Sequence, residues 1–243
     1  MAEQIGPRRW PEGIHAGEGM PMNHRGDLMA IYQALKNKYR NYDTKYALKR
    51  MQAFRRSIHE LNAKGFPLAI ELLGSINFGI VDPSSDADCI ILHFCDMHAD
   101  GGECMPSCPT LHFERDELNK LVRKQLSEDG IRLEILDCIN LTYIENFLKS
   151  GRTDEDSIIF RFLFYRTMGR PVNRPLFIDF YEKLAEIESI WPAFNKWAAI
   201  ALRAYLSTSD HRYSFNKYNE RILNQKLALP EGLREELKQY LDS

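Results

Sequence analysis

Two short apolar runs, separated by a polar stretch rich in small residues, constrain this chain more than any other feature. The first run covers 67–73 (PLAIELL) and the second covers 89–94 (CIILHF). Apolar runs of about 4–8 residues between turn signals are typical of buried strands. The stretch between them carries Gly-Ser at 74–75 and Asp-Ala-Asp at 86–88. The sequence therefore predicts two strands of one sheet, with polar chemistry placed between them.

Apolar residues at helical spacing flank these runs on both sides. Upstream, the pattern predicts two helices within 27–64, broken near 41–43. Downstream, a helix over 114–127 precedes a third predicted strand at 131–139 (IRLEILDCI), and the pattern from 142 onward is helical again. The expected fold is α/β (α+β): a mixed sheet core with flanking helices and a C-terminal helical domain.

Breaks in the pattern divide the chain into four predicted units. Residues 1–26 are rich in Gly and Pro and form an irregular arm, and 27–65 form a basic helical segment. The α/β core covers 66–150, and the polar break KSGRTDED separates it from a helical domain at 151–243.

The charge of the chain excludes a global attraction to nucleic acid or to an anionic membrane, because its formal net charge is -2. One segment differs: 30–66 holds nine Lys or Arg and two Asp or Glu, a net of +7. Such an excess marks either a phosphate-binding patch or a solvated helix face, and the second is the more common.

The expected location is the cytoplasm, without a membrane partner. No apolar run approaches the roughly 20 residues of a membrane span, and the N-terminus lacks an apolar signal core. The chain has five cysteines, an odd number, which favours reduced thiols over a disulfide framework.

The polar stretch between the first two strands has the composition of a metal and phosphate site. Side chains alternate along a strand, so Asp86 and Asp88 point the same way and can share divalent ions. Two adjacent carboxylates repel each other, and Mg²⁺ is the expected counterion because it prefers hard oxygen ligands. Gly74 and Ser75 form a small pair that lets the backbone approach a polyphosphate closely.

The order of these residues resembles the signature of the polymerase-beta-type nucleotidyltransferase superfamily. Its parts are an apolar strand, Gly-Ser at 74–75, Gly79, and Ser-Asp-Ala-Asp at 85–88 followed by a second apolar run, about twenty residues in all. The resemblance implies that 66–150 is a catalytic core, which transfers a nucleoside monophosphate from a nucleoside triphosphate to a hydroxyl and releases pyrophosphate. It assigns two magnesium ions to Asp86 and Asp88. It assigns the nucleotide to Gly74, Ser75 and Ser85.

Members of that superfamily carry a third carboxylate on a neighbouring strand, which completes the metal site with Asp86 and Asp88, and Glu134 and Asp137 are the candidates here. Strict alternation would place Glu134 on a polar face with Arg132, and Asp137 on the face of Leu133 and Ile135, which favours Glu134. The resemblance implies that this acid lies nearest the acceptor and helps to deprotonate its hydroxyl.

The resemblance also implies that the helical domain closes over the nucleotide. In the predicted helix near 210–218, Ser214 and Lys217 would then contact the triphosphate. Capping of that helix by Ser214, with a solvated Lys217, is the simpler interpretation.

A second group of metal-binding residue types lies between the second strand and the following helix. Its members are Cys95, His98, Cys104 and Cys108, with His112 as a substitute ligand. They fit a tetrahedral structural Zn²⁺ site in composition, but their spacing matches no common zinc module. The preferred interpretation is a polar insertion with incidental thiols, and a disulfide between Cys104 and Cys108 is a third one.

The acceptor hydroxyl is not encoded in the motif. A small molecule or a protein side chain is preferred to an RNA 3' end, because the sequence holds no recognisable RNA-binding module, although the basic segment favours RNA. Two other classes stay open: a non-catalytic nucleotide-binding protein with the same fold, and a binding module organised by zinc at 93–112.

Overall fold

The chain forms a mixed α/β structure, which confirms the expected fold class. A computed structural model describes residues 44–77, 81, 83, 85–101, 104, 108–126, 131–173, 178–194 and 196. The predicted arm at 1–26, the predicted helix within 27–40 and most of the predicted C-terminal helices lie outside this described part.

Four strands form one mixed sheet in the order β3-β2-β1-β4. They are β1 (Leu68–Leu72), β2 (Ala87–His93), β3 (Leu133–Asn140) and β4 (Arg170–Pro171). Strand β1 runs antiparallel to both β2 and β4, whereas β2 and β3 are parallel. The parallel pair matters most for function, because it starts two neighbouring strands at the same end of the sheet.

Helices precede, connect and follow these strands. They are α1 (Lys45–Ala63), α2 (Gly74–Asn77), α3 (Pro109–Gln125), α4 (Leu141–Ser150), α5 (Ser157–Met168) and α6 (Ile178–Ala185). Short 3-10 turns cover Asp96–His98 and Glu188–Ile190. Helix α3 connects the parallel strands β2 and β3, as a crossover connection between parallel strands requires.

Each face of the sheet is covered by its own set of helices. On one face, Ile70 of β1 and Ile91 of β2 pack with α1 and α3. On the other, Ala69, Ile90 and Ile139 pack with α4, α5 and α6. Coverage on both faces explains why β1 and β2 are nearly continuous apolar runs rather than alternating ones.

The predicted elements agree with the structure, with differences at their ends. Strand β1 lies within the expected run, and α5 lies within the part after 142 that was expected to be helical. Helix α3 begins at Pro109 rather than at 114, because proline is favourable in the first helical turn. Helix α2 begins at Gly74, the first residue of the Gly-Ser pair.

Helix α5 and strand β4, which follow the predicted boundary at 150–151, belong to the same sheet and core as β1 to β3. Phe162 and Leu163 of α5 lie in one apolar cluster with Ile90 of β2. Strand β4 pairs with β1 through Glu71 and Pro171. The helical segment after 151 therefore contributes directly to the layer beneath the sheet.

A buried ion pair links β1 to α5. The Glu71 carboxylate is fully buried and forms a salt bridge with Arg166. Gly169 leaves room for this carboxylate, because a Cβ at that position would lie 2.8 Å from Glu71 Oε2. The pair lies three residues from Gly74 along the chain, so it fixes the end of β1 from which the predicted phosphate turn leaves.

We expect Arg166→Met to lower the free energy of unfolding by about 3–5 kcal/mol, because it leaves a carboxylate buried without its counter-charge. Replacing both partners, with Glu71→Leu and Arg166→Met together, removes the buried charge and should recover much of that loss. Urea denaturation of the wild type and both variants measures the difference. Equal stability of the single and double variants would show that the unpaired carboxylate is not the cause of the loss.

Candidate functional site

The starts of β2 and β3 bring acidic side chains together. Asp88 of β2 and Glu134 of β3 are direct partners in the parallel register. Partner residues on adjacent strands lie about 4.8 Å apart and project from the same face of the sheet. Asp86 precedes β2 by one residue, so three carboxylates meet at the same end of the two strands.

Burial and mutual repulsion of these carboxylates alter the acidity of Asp88. Burial, followed by the negative charges of Glu134 and Asp86, raises its pKa from 3.8 to about 6. Asp88 is half-buried, whereas Asp86 and Glu134 are exposed. A cation bound between them would remove the repulsion, since an opposite charge favours the ionised form.

The Gly-Ser turn lies directly against the central acid. Gly74 has a φ of 60°, and a Cβ at that position would overlap the Asp88 carboxylate. The backbone N–H of Leu73 donates to Asp88 O at 2.9 Å, which fixes the approach. Glycine is therefore required both for its left-handed backbone and for the space it leaves. Ser75 follows at the start of α2.

Helix α2 is anchored to the elements that follow it. Asn77 is buried, and its Nδ2 donates to Met168 O at 2.6 Å. The Arg170 guanidinium donates to Ile76 O at 3.1 Å. These bonds tie the turn after Gly74 to the end of α5 and to β4.

Arg50 of α1 holds the loop that carries Asp86, a role that the sequence analysis missed. Its guanidinium is buried and donates to Pro83 O and to Asp86 O, both at 3.4 Å. Thr44 adds a bond from its hydroxyl to Val81 O at 2.8 Å. A signal was present in the sequence, because Arg50 occupies the apolar face of a helix, where a charged residue needs a specific partner.

The choice between Glu134 and Asp137 as third acid rests on their partners. Asp137 accepts a hydrogen bond from Tyr165 at 2.6 Å and forms an ion pair with Arg161 at 3.2 Å. Among the described residues, no hydrogen bond or ion pair engages the Glu134 carboxylate, which lies beside Asp88. Glu134 is therefore the acid that is free to bind an ion.

The strand face expected for Asp137 was wrong. The register of β2 and β3 shifts, so that Cys89 pairs with Ile135 while Ile90 pairs with Asp137. The extra residue, Leu136, is 51% exposed. This bulge turns Asp137 back to the face of Glu134 instead of the face of Ile135, because an inserted residue interrupts the alternation.

The remaining predicted nucleotide contacts divide into two groups. Ser85 is half-buried and lies beside Asp86 at the entrance to β2. Ser214 and Lys217 lie outside the described residues, as does Gly79. Of the residues expected to contact the nucleotide, the described part of the chain therefore contains Gly74, Ser75 and Ser85.

A second group of side chains can hold a metal ion at the opposite end of β2. Its members are Cys95, His98, Cys104 and Cys108, and their ligand atoms all lie within 4.8 Å of one another. Three of the four residues are buried and His98 is half-buried. The preferred interpretation of incidental thiols in a polar insertion does not anticipate this convergence.

Neither His112 nor a disulfide takes part in this cluster. His112 lies on α3, is exposed and faces Asp116 at 3.5 Å. All five cysteines are free thiols, so the predicted alternative of a Cys104 to Cys108 disulfide is not formed. The group that can bind metal consists of Cys95, His98, Cys104 and Cys108.

Comparison with known proteins gives no match: no family model, no curated protein and no solved structure is similar to this chain. Within the described ranges, no helix combines the length and apolar character needed to cross a membrane.

We expect Gly74→Ala to impair the site, because its Cβ would displace the Asp88 carboxylate. Gly151→Ala is the matched control, since Gly151 has a φ of 66° and open space around it. Both variants carry the left-handed strain of ~1–2 kcal/mol, but only Gly74→Ala should also weaken stabilisation by divalent cations. Urea denaturation with and without Mg²⁺ measures this, and an identical response of the two variants would contradict it.

We expect Asp88→Asn to stabilise the metal-free protein at neutral pH. The raised pKa of about 6 means that the folded state holds the Asp88 proton more tightly than the unfolded chain, with its value of 3.8. The protonated Asp88 side chain therefore contributes fully to the stability of the folded state below pH 3.8, and this contribution is lost as the pH rises to about 6. In EDTA, the gain in melting temperature of Asp88→Asn over wild type should grow across this window. A gain in melting temperature that is independent of pH would contradict the raised pKa of Asp88.

Proposed function

We propose that this chain is a magnesium-dependent nucleotidyltransferase, which transfers a nucleoside monophosphate from a nucleoside triphosphate to a hydroxyl acceptor. The observation that carries the proposal is the register of Asp88 with Glu134, with Asp86 beside them and Gly74 packed on the Asp88 carboxylate. A cluster of carboxylates beside a glycine turn is the arrangement that phosphoryl transfer requires, and it supports the proposal.

Magnesium is the ion that suits these ligands. The donors are carboxylate oxygens, and Asp86 and Glu134 are exposed enough to leave space for water and substrate phosphates. Mg²⁺ is usually bound in this way, through one or two carboxylates plus substrate oxygens. The chemistry such ions supply when bound is activation of the attacking hydroxyl and neutralisation of charge on the leaving pyrophosphate.

The protein side chains have separate roles in the proposed reaction. Asp86 and Asp88 bind the ions, while the backbone around Gly74 and Ser75 approaches the triphosphate. The acceptor oxygen attacks the α-phosphorus, the bond to the β-phosphate breaks, and pyrophosphate leaves. Glu134 is exposed and close to Asp88, so it is placed to accept the proton of the attacking hydroxyl.

The acceptor we favour is a small molecule or a protein side chain. The basic segment at 30–66 was the argument for RNA, and Arg50, one of its members, is buried and bonded to the loop at 83–86 instead of facing solvent. Arg55 and Arg56, on the same helix, are exposed, as on a solvated helix face. An RNA 3' end is the alternative acceptor, and labelled product of RNA size in the assay below would identify it.

The first test is nucleotide binding, which needs no acceptor. Calorimetry should detect binding of a nucleoside triphosphate analogue with a methylene group between its α- and β-phosphates, and binding should require Mg²⁺. We expect Asp88→Asn to reduce the affinity for the analogue more than about 100-fold. Substitution of a residue that only hydrogen-bonds to a metal ligand typically costs about 10–100-fold, and loss of a direct ligand should cost more. Binding of the analogue that does not depend on Mg²⁺ or on Asp88 would overturn the proposal that these carboxylates form the nucleotide site.

The second test is turnover. With Mg²⁺, the four nucleoside triphosphates and mixed hydroxyl acceptors, pyrophosphate release should fall by on the order of 10²–10³-fold in Asp86→Asn and in Glu134→Gln. Asp137→Asn is the control for the third acid, since Asp137 is paired with Tyr165 and Arg161. A folded Asp137→Asn protein that loses activity while Glu134→Gln keeps it would reverse the assignment. Binding without any release would favour a non-catalytic nucleotide-binding protein.

A further inference from the structure

We propose that Cys95, His98, Cys104 and Cys108 bind a structural zinc ion, which fixes the connection between β2 and α3. This site is separate from the three carboxylates. Asp88 and Cys95 are seven positions apart along an extended strand, which corresponds to roughly 20 Å at a rise of about 3.3 Å per residue. The zinc ion is therefore not one of the ions proposed for catalysis.

The distances between the ligand atoms match a tetrahedral zinc site. Zn–S bonds of about 2.3 Å and Zn–N bonds of about 2.0–2.1 Å place two sulfurs about 3.8 Å apart, and a sulfur and a nitrogen about 3.6 Å apart. Cys95 Sγ lies 3.8 Å from Cys108 Sγ. His98 Nδ1 lies 3.4 Å from Cys95 Sγ and 3.6 Å from Cys104 Sγ.

The chemistry of the ligands selects zinc over the hard cations. Three thiolates and one imidazole form a Cys₃His set, which is typical of structural zinc with four protein ligands and no open position. Mg²⁺ and Ca²⁺ prefer oxygen donors. Three of the four residues are buried, so bulk water has little access to the ion.

Groups around the ligands are arranged to hold them in place. Asn140 is buried; its Oδ1 accepts from Cys95 N at 3.0 Å, and its Nδ2 donates to Cys95 O at 2.8 Å and to His98 O at 3.1 Å. One side chain thus fixes the turn that carries the first two ligands. Partners of this kind orient metal ligands and contribute to affinity.

Cys108 has a further support from α3. It is the residue that caps this helix at its N-terminus. The helix end therefore favours a thiolate at this position, which is the form that binds metal.

Cys138 is close to the cluster but has a different function. Its thiol donates to Cys104 O at 3.0 Å, so it supports a ligand residue through a hydrogen bond. Cys138→Ser preserves a donor at this position and is therefore the matched control for substitution of the ligands.

The proposed ion joins separate parts of the fold. Two ligands lie on the turn at 95–98, one lies in the following loop, and one begins α3. Asn140 connects this turn to the end of β3. A bound zinc ion would thus stabilise both the crossover connection and the end of the parallel strand pair, because the metal binds the folded state and not the unfolded chain.

The experiment measures metal content in protein purified without added chelator. Elemental analysis should find one zinc per chain in the wild type and in Cys138→Ser, and much less in Cys104→Ser and Cys108→Ser. Cobalt replacing zinc should give the visible absorption bands of a tetrahedral thiolate site. Asn140→Ala should keep the ligands but release zinc to a chromogenic chelator about 10–100-fold more readily.

If the ligand variants fail to fold, release of zinc from the wild type by a mercurial thiol reagent, followed with the chromogenic chelator, still tests the site. Wild-type protein without stoichiometric zinc that also fails to bind cobalt would overturn the proposal, as would equal zinc loss in Cys138→Ser and Cys104→Ser. Iron in place of zinc would overturn the identity of the ion. None of these outcomes depends on nucleotide transfer, so this proposal and the proposed activity fail separately.

Discussion

The repulsion between Asp88 and its two acidic neighbours is the constraint on which the rest of the site depends. It arises from the parallel register of β2 and β3, which places Glu134 beside Asp88. Burial, together with this repulsion, raises the pKa of Asp88 to about 6. A fold that keeps such charges together gives up stability in the metal-free state, and this is usual where binding or catalysis requires it. Ion pairs and hydrogen bonds around the site, including the buried pair of Glu71 with Arg166, supply the support that holds the acids in place.

Much of this arrangement could be predicted from local sequence, because the apolar runs, the small pair at 74–75 and the acids of β2 lie within about twenty residues. Glu134, the expected third acid, lies beside Asp88, but the alternation argument that favoured it over Asp137 was wrong. A bulge depends on which strand pairs with which, so alternation along β3 alone could not reveal that Leu136 is inserted and that Asp137 returns to the face of Glu134. The roles of Arg50 and Asn140 were also missed, since their partners are more than thirty positions away along the chain.

The cysteine and histidine cluster illustrates the opposite difficulty. Its residue types were recognised, yet their irregular spacing argued against a metal site. The spacing is irregular because the ligands come from separate parts of the fold: the 3-10 turn at Asp96–His98 with Cys95 before it, residue 104, and the start of α3. Three-dimensional convergence, with ligand atoms within 4.8 Å of one another, is a criterion that a linear pattern does not contain.

The contact of Arg50 with the loop at 83–86 has a consequence for dissection of this protein into fragments. A piece beginning at residue 66, where the apolar run of β1 starts, would lack both Thr44 and Arg50 and would leave the backbone carbonyls of that loop without their donors. A piece ending at 150 would lose Arg166 and expose the face of the sheet that α5 covers. A fragment that keeps these contacts therefore extends at least from Thr44 to the end of β4 at Pro171, and we expect limited proteolysis of the native chain to yield a stable core of at least this length.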